Sequence, residues 1–410
     1  MNDYQKLFRN KNFLALWSSQ FFSQVALHTM NFLVILLVFQ KTSSTLATSM
    51  VWLVYILPAI LIGPLAAAYV DLIDKKRLLI FTNVAQALLI AGFAFVYAQY
   101  LFLAYAVVLL YSLLNQFYTP AEIASLPMIV KKEFLPQANG LFLATYQLGL
   151  VVGAGVSGVI GEALGFRNAF LIAAAALALA YFAVNFLPEL KSQKNIQDDM
   201  KQNIKDYLGD VWEGVAFIKN HKKIWVPFVT IAGLQVGLAI VFTNLPAIAK
   251  QIIRINPNYA GIYIVGPAGL GAVVGILSVP RALKAKTKKQ LAKTALGILS
   301  VGLIFAALVI PSLPQNISLP LSIIMFAVAG VSFIGIFIPA QTFLQEQTPK
   351  QMMGRVFGNS WFITTVATIF PLMFSASITE IFGPRFLFLF IGILMSVIFF
   401  YYNRIVDFKT

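Results

Sequence analysis

Residues Gly63–Arg77, GPLAAAYVDLIDKKR, carry a long apolar run into two carboxylates and three consecutive cations. A hydrophobic helix that leaves lipid and turns on a charged hairpin has this composition, because polar groups are tolerated only where the helix emerges. The rest of the chain can be placed by asking on which side of a membrane this hairpin lies.

The 410-residue chain is 59% hydrophobic and only 11% charged, against roughly 25% charged in an ordinary soluble protein. So much apolar surface exceeds what one soluble core can hide, and the chain is expected to be an all-α polytopic membrane protein. The absence of cysteine excludes disulfides and thiolate metal sites. The N-terminus, MNDYQKLFRNKNF, is basic and amphipathic and has no small-residue cleavage site. It reads as a retained cytoplasmic start rather than a signal peptide.

Hydrophobic segments fall near 13–40, 46–70, 78–98, 101–127, 138–164 and 166–187, then near 224–248, 259–280, 291–311, 317–345, 357–380 and 384–403. These make twelve transmembrane helices in two groups of six. With both termini inside, the outer loops hold Lys41, Arg167, Lys250, Arg254 and Arg385, leaving 25 of the 30 Lys and Arg on the cytoplasmic side. That asymmetry sets the orientation. The net charge of +15 is then a topology signal, and no nucleic-acid partner is expected. The reading is a multi-pass protein of the bacterial inner membrane: an N-terminal bundle over 1–188, a linker over 189–222 and a C-terminal bundle over 223–410. Within the linker, Ile204, Leu208, Val211, Trp212, Val215 and Ile218 recur at helical spacing, as in an amphipathic helix lying on the membrane.

The two halves repeat. Glu162-Ala-Leu-Gly165-Phe-Arg167 recurs as Glu380-Ile-Phe-Gly383-Pro-Arg385, and Pro120-Ala121 through Asn139-Gly140 as Pro339-Ala340 through Phe357-Gly358, at offsets of 218 to 219. Gln24-Val25-Ala26-Leu27 matches Gln235-Val236-Gly237-Leu238 at an offset of 211. Matches in order at nearly one offset indicate a duplicated six-helix unit. Six being even, the repeat is parallel.

With these features the chain resembles the major facilitator superfamily. Ala67-x-x-x-Asp71 followed by Lys75-Lys76-Arg77 is similar to the family's loop 2–3 signature, with Ala67 and Leu72 in place of the usual Gly and Arg. The stretch from Pro120 to Leu141 and Leu344-Gln-Glu-Gln-Thr-Pro349…Gly354-Arg-Val-Phe-Gly358 look like the branch of macrolide and multidrug efflux pumps and siderophore exporters. The span-1 Gly-Asp pair of that branch is replaced by Ala26-Leu27. The Pro120–Leu141 pattern also resembles lysophospholipid transporters, which carry Lys where this chain has Glu122. The resemblance implies a gate at the hairpin, for which Asp71, Asp74, Lys75, Lys76 and Arg77 are the candidates.

Span 1 places Gln20, Gln24, His28 and Asn31 within a sector of about 80°, with Trp17 beside them. Polar side chains in lipid face a cavity or link helices by hydrogen bonds. His28 could also carry a proton. Glu122, in the inner part of span 4, is either a proton carrier, since a carboxyl removed from water can load and release a proton, or half of an ion pair with a hairpin cation. Glu162 and Glu380 read as corner partners of Arg167 and Arg385. Asn115, Tyr118, Tyr146, Gln147, Gln235 and Asn244 complete a proposed cavity lining. With 36 Phe in the chain, such a lining suits amphipathic organic molecules, and no mid-span Arg offers itself to an anion. Gly153-Ala-Gly155-Val-Ser-Gly158 spells a dinucleotide fingerprint but lies inside a span, so it reads as close helix packing.

No nucleophile triad, HExxH or phosphate-binding loop is present, so no enzyme activity, cofactor or metal is expected. The expected function is alternating-access export of amphipathic small molecules (drug, macrolide or siderophore type) by a monomer, in exchange for protons, with membrane lipids around it. The alternative is lysophospholipid transport between leaflets.

Overall fold

The structure is a computed structural model that describes residues 3–191, 209, 213, 216–349 and 352–405. Among them the chain is mostly helical, with no strand. The helices are α1 (Asp3–Arg9), α2 (Lys11–Thr42), α3 (Thr45–Leu72), α4 (Lys75–Val96), α5 (Phe102–Ile129) and α6 (Leu135–Asn185), then α7 (Lys222–Ile248), α8 (Gly266–Ala282), α9 (Lys288–Leu308), α10 (Gln315–Gln347), α11 (Met353–Phe382) and α12 (Pro384–Ile405). Eleven segments among the described residues are long and apolar enough to cross a membrane. One of them, Lys132–Asn185, holds spans 5 and 6 on either side of Gly165. Spans 1–6 therefore lie in α2–α6, and spans 7–12 begin with α7 and end with α12.

Gly165 explains the fusion. Its φ of 81° and ψ of 153° lie in a region open essentially to glycine alone, so the chain turns between two spans without a loop. Gly383, between spans 11 and 12, has φ 82° and ψ 164°. Among the described residues, the two non-glycine positions with positive φ, Ser43 and Arg254, follow spans 1 and 7. The pairs are 218 and 211 residues apart, the offsets already seen in the sequence. Helix starts repeat too. Asp74 caps α4 by accepting from the Lys76 and Arg77 amides at 2.9 and 3.3 Å, and Thr287 caps α9 in a reciprocal box with Gln290.

The chain forms two compact units, Met1–Lys41 with Met50–Tyr207, and Thr42–Ser49 with Leu208–Thr410. In the first, Leu7, Phe13, Leu16, Val70, Leu79, Tyr118 and Val130 share a buried core. In the second, Leu234, Leu296, Ile336, Phe343 and Tyr402 do. Large apolar side chains such as Leu88 and Phe400 are 68% and 76% exposed. In a helical membrane protein such side chains meet lipid tails. Small residues set the closest approaches: a Cβ on Gly271 would stand 1.8 Å from the Ala327 carbonyl oxygen, and one on Gly330 1.9 Å from that of Ala268.

Span 8 opens as a wide turn over Gly261–Val265 before α8. Pro267 lacks an amide proton, and the ladder before it shifts register. The linker positions Ile204, Leu208, Val211, Trp212 and Val215 lie outside the described residues. Ile218 is buried against Ile224, Phe228, Leu344 and Val356.

Candidate functional site

In the first unit, span 1 is drawn against span 5 by glycine. A Cβ on Gly149 would meet that of Gln24 at 2.6 Å, and one on Gly153 would meet that of His28 at 2.7 Å and the Val25 carbonyl at 2.8 Å. The glycine-rich stretch of span 5 thus serves close helix packing. That approach brings the polar stripe of α2 onto span 5. The Trp17 indole donates to the Thr145 hydroxyl at 2.6 Å, the Gln20 amide donates to the Phe142 carbonyl at 3.0 Å, and the His28 ring meets Tyr146 edge-on at 5.6 Å. Gln20 and Gln24 are buried, while Trp17, His28, Asn31 and Tyr146 are half-buried. Gln24 Oε1 and His28 Nε2 are buried atoms with no hydrogen-bond partner among the described residues.

Glu122 lies deeper in the same unit, 3% exposed. Its Oε1 accepts from the Tyr118 hydroxyl at 2.8 Å, one helical turn earlier. Tyr118 is itself buried within reach of Ser19 and Ser23 on α2. No cation pairs with Glu122 among the described residues. Sequence reasoning missed several buried polar residues of this unit. Asn83 and Gln86 on α4 are both fully buried, and the Asn83 amide reaches the Ser19 hydroxyl at 3.5 Å. Both amide atoms of Gln86 have no hydrogen-bond partner among the described residues, and the Tyr111 hydroxyl lies within reach of Ser23. The legible signal was Thr82-Asn83-x-x-Gln86 in an otherwise apolar run, one face of one helix.

The remaining candidates are spread. Asn115 is half-buried and reaches the Tyr55 hydroxyl at 3.5 Å, and Gln147 is exposed. In the second unit Gln235 is half-buried. Asn244 is buried, donating to the Ile240 carbonyl at 2.8 Å and lying 3.4 Å from the Ser375 hydroxyl.

The hairpin is tied into its own unit. Asp74 is the α4 cap described above. The Lys75 amide donates to the Leu190 carbonyl at 3.1 Å, and the Lys76 ammonium donates to the Asn185 and Leu187 carbonyls at 2.9 and 2.5 Å. These last carbonyls of span 6 lack intrahelical partners, so a cation there is favourable. Arg77 is exposed and, with Lys76 and above all Lys191, helps hold the Glu189 carboxyl below the usual carboxylate range. The side chain of Asp71 lies outside the described residues. The repeat loop Arg281–Lys289, which has no carboxylate of its own, finds one elsewhere in its unit, because Lys288 pairs with Glu346 at the end of α10.

At the first outer corner the Arg167 guanidinium lies over the Phe95 ring at 4.4 Å; the second corner differs from expectation. Glu380 accepts from the Thr45 amide and hydroxyl at 2.7 and 2.9 Å, inside the second unit, instead of pairing with Arg385. The free amides at the start of α3 attract the carboxylate as a capping residue would.

The family model described as Major Facilitator Superfamily matches residues 16–370. Macrolide efflux protein A of Streptococcus pyogenes is 23% identical over 398 residues, 94% of each chain. The MFS-type transporter YfiS of Bacillus subtilis is 25% identical over 401 residues, 96% of this chain and 93% of that one. A crystal structure of a mutant nucleoside transporter NupG superposes with a TM-score of 0.74 at 14% identity, over 96% of this chain and all of that one, and so bears on the fold alone. Twelve spans in a duplicated helical unit, together with a family match over most of the chain, make this protein a member of the Major Facilitator Superfamily, a polytopic membrane transporter.

Proposed function

We propose that the protein exports amphipathic organic molecules by alternating access in exchange for protons, with the Tyr118–Glu122 pair carrying the proton. The observation behind this reading is the burial of Glu122 with a neutral hydroxyl as its described partner. A buried carboxylate without a counter-ion costs several kcal/mol, so its charge follows whether water reaches it, as alternating access requires. Trp17, Gln24, His28 and Tyr146 offer aromatic faces and neutral polar atoms, the chemistry of a site for amphipathic substrates. Relatives named for macrolide efflux and multidrug resistance support export. The Lys and Arg distribution supports cytoplasmic termini in a bacterial inner membrane. In this reading Asp71 and the hairpin cations gate the inner side.

Proteoliposomes loaded with a dye, a macrolide, a siderophore or a lysophospholipid, with and without a pH gradient, test the proposal. Gradient-driven export of at least one of the first three is expected, and Glu122→Gln should abolish the gradient dependence while substrate binding persists. Tyr118→Phe should weaken it less. Transport indifferent to the gradient refutes proton exchange, and movement of lysophospholipid alone refutes the substrate class.

A further inference from the structure

The short helix α1 is anchored to the end of the first unit. Leu7 is 1% exposed within the core shared by Phe13, Leu16 and Val130. The Asn10 amide donates to the Ile129 carbonyl at 2.9 Å, while its Oδ1 accepts from the Asn12 and Phe13 amides at 3.0 and 3.2 Å. Asn10 therefore caps α2 and is bonded to the exit of α5 at once. This arrangement fixes Lys6 and Arg9, one turn apart, beside Lys131, which follows α5.

The three cations line one cavity of about 250 Å³, with Leu7, Asn10, Val130 and Phe134 as its other walls. The Lys6 ammonium lies 5.3 Å from the centroid of the Phe134 ring. Phe8, between the lining residues Leu7 and Arg9 in sequence, is 43% exposed, so an apolar strip lies beside the cations. We propose that this pocket binds the phosphate of an anionic phospholipid. Arg9 immediately precedes span 1 and Lys131 immediately follows span 4, which puts the mouth of the cavity at headgroup depth. Three positive groups over apolar walls match a phosphodiester whose acyl chains continue along the strip. A free soluble phosphate would have no use for that strip. The site depends on α2 and α5 crossing the bilayer and not on the proposed substrate or its coupling. The proposed orientation places it in the inner leaflet.

Full-length protein in detergent is titrated with phosphatidylglycerol and, separately, phosphatidylcholine, and bound lipid is counted by native mass spectrometry. Phosphatidylglycerol is expected to bind preferentially. Each of Lys6→Gln, Arg9→Gln and Lys131→Gln should weaken it about fivefold, the equivalent of about 1 kcal/mol for a basic group near an anionic headgroup, and the triple variant about a hundredfold. A control triple, Arg281→Gln, Lys284→Gln and Lys286→Gln, removes the same charge elsewhere and should leave this binding unchanged. The proposal is overturned if the control loses as much, if the triple variant binds as the parent does, or if millimolar inorganic phosphate displaces the lipid. Because no step reads transport, failure here leaves the export proposal untouched, and the reverse also holds.

Discussion

Replacing Gly330 by alanine probes the contact that holds spans 8 and 10 together. An added Cβ would sit 1.9 Å from the Ala268 carbonyl oxygen and 2.8 Å from the Ala272 amide nitrogen. Both are backbone atoms of α8 and cannot rotate away. Clearing the carbonyl to beyond 3.0 Å requires the helices to part by at least about 1.1 Å, the difference between that limit and the 1.9 Å contact. Overpacking of this kind costs about 1–3 kcal/mol and occasionally more. Gly271 makes the reciprocal contact, 1.8 Å from the Ala327 carbonyl. Helices already parted by one alanine accommodate the second, so the double variant should cost much less than the sum of the two singles. Gly302→Ala is the control, since its Cβ would meet only the Met325 side chain, at 3.9 Å. It should gain up to about 1 kcal/mol from helix propensity. Unfolding of the purified protein in dodecyl sulfate mixed micelles, followed by circular dichroism, measures all four. Gly330→Ala unfolding at the parental denaturant fraction, or strictly additive singles, would refute this account of the interface.

The two outer turns make a paired prediction. Gly165→Ala and Gly383→Ala each force a Cβ into a conformation available essentially to glycine, and each should lose about 1–3 kcal/mol in the same unfolding assay. Losses near zero at either position would show that its turn relaxes. Asp74→Ala removes the α4 cap and should cost about 0.5–2 kcal/mol, while Asp74→Asn, which can still accept from the amides, should retain most of it. Equal losses from both would point to the charge of Asp74 rather than its capping geometry. Alongside these stand the transport test of Glu122 and Tyr118 and the lipid titration of Lys6, Arg9 and Lys131.

Much of the fold is written locally. Apolar length determines the spans, because a helix in lipid must satisfy its backbone internally. Duplication is visible in Glu162–Arg167 against Glu380–Arg385, and the shared conformation of Gly165 and Gly383 shows why glycine recurs there. The candidate site is legible in part. The stripe Gln20, Gln24, His28 and Trp17 follows from helical periodicity, and the burial of Glu122 from its position inside span 4. Periodicity names a face but not the neighbour across from it. The contacts of Trp17 with Thr145, of Gln20 with the Phe142 carbonyl and of Glu380 with Thr45 each join residues more than a hundred positions apart.

The amino-acid sequence by itself determined the spans, their repeat and the glycine turns, since these depend on hydrophobicity and on backbone angles within a few residues. Only the tertiary structure decided that, among the described residues, Glu122 answers to Tyr118 rather than to a cation. It also decided that Asn83 reaches Ser19 beside Tyr118, and that Lys6, Arg9 and Lys131 meet at one cavity. A side chain's electrostatic surroundings are set by whichever helices pack against it, and that packing follows from the whole bundle rather than from any local stretch.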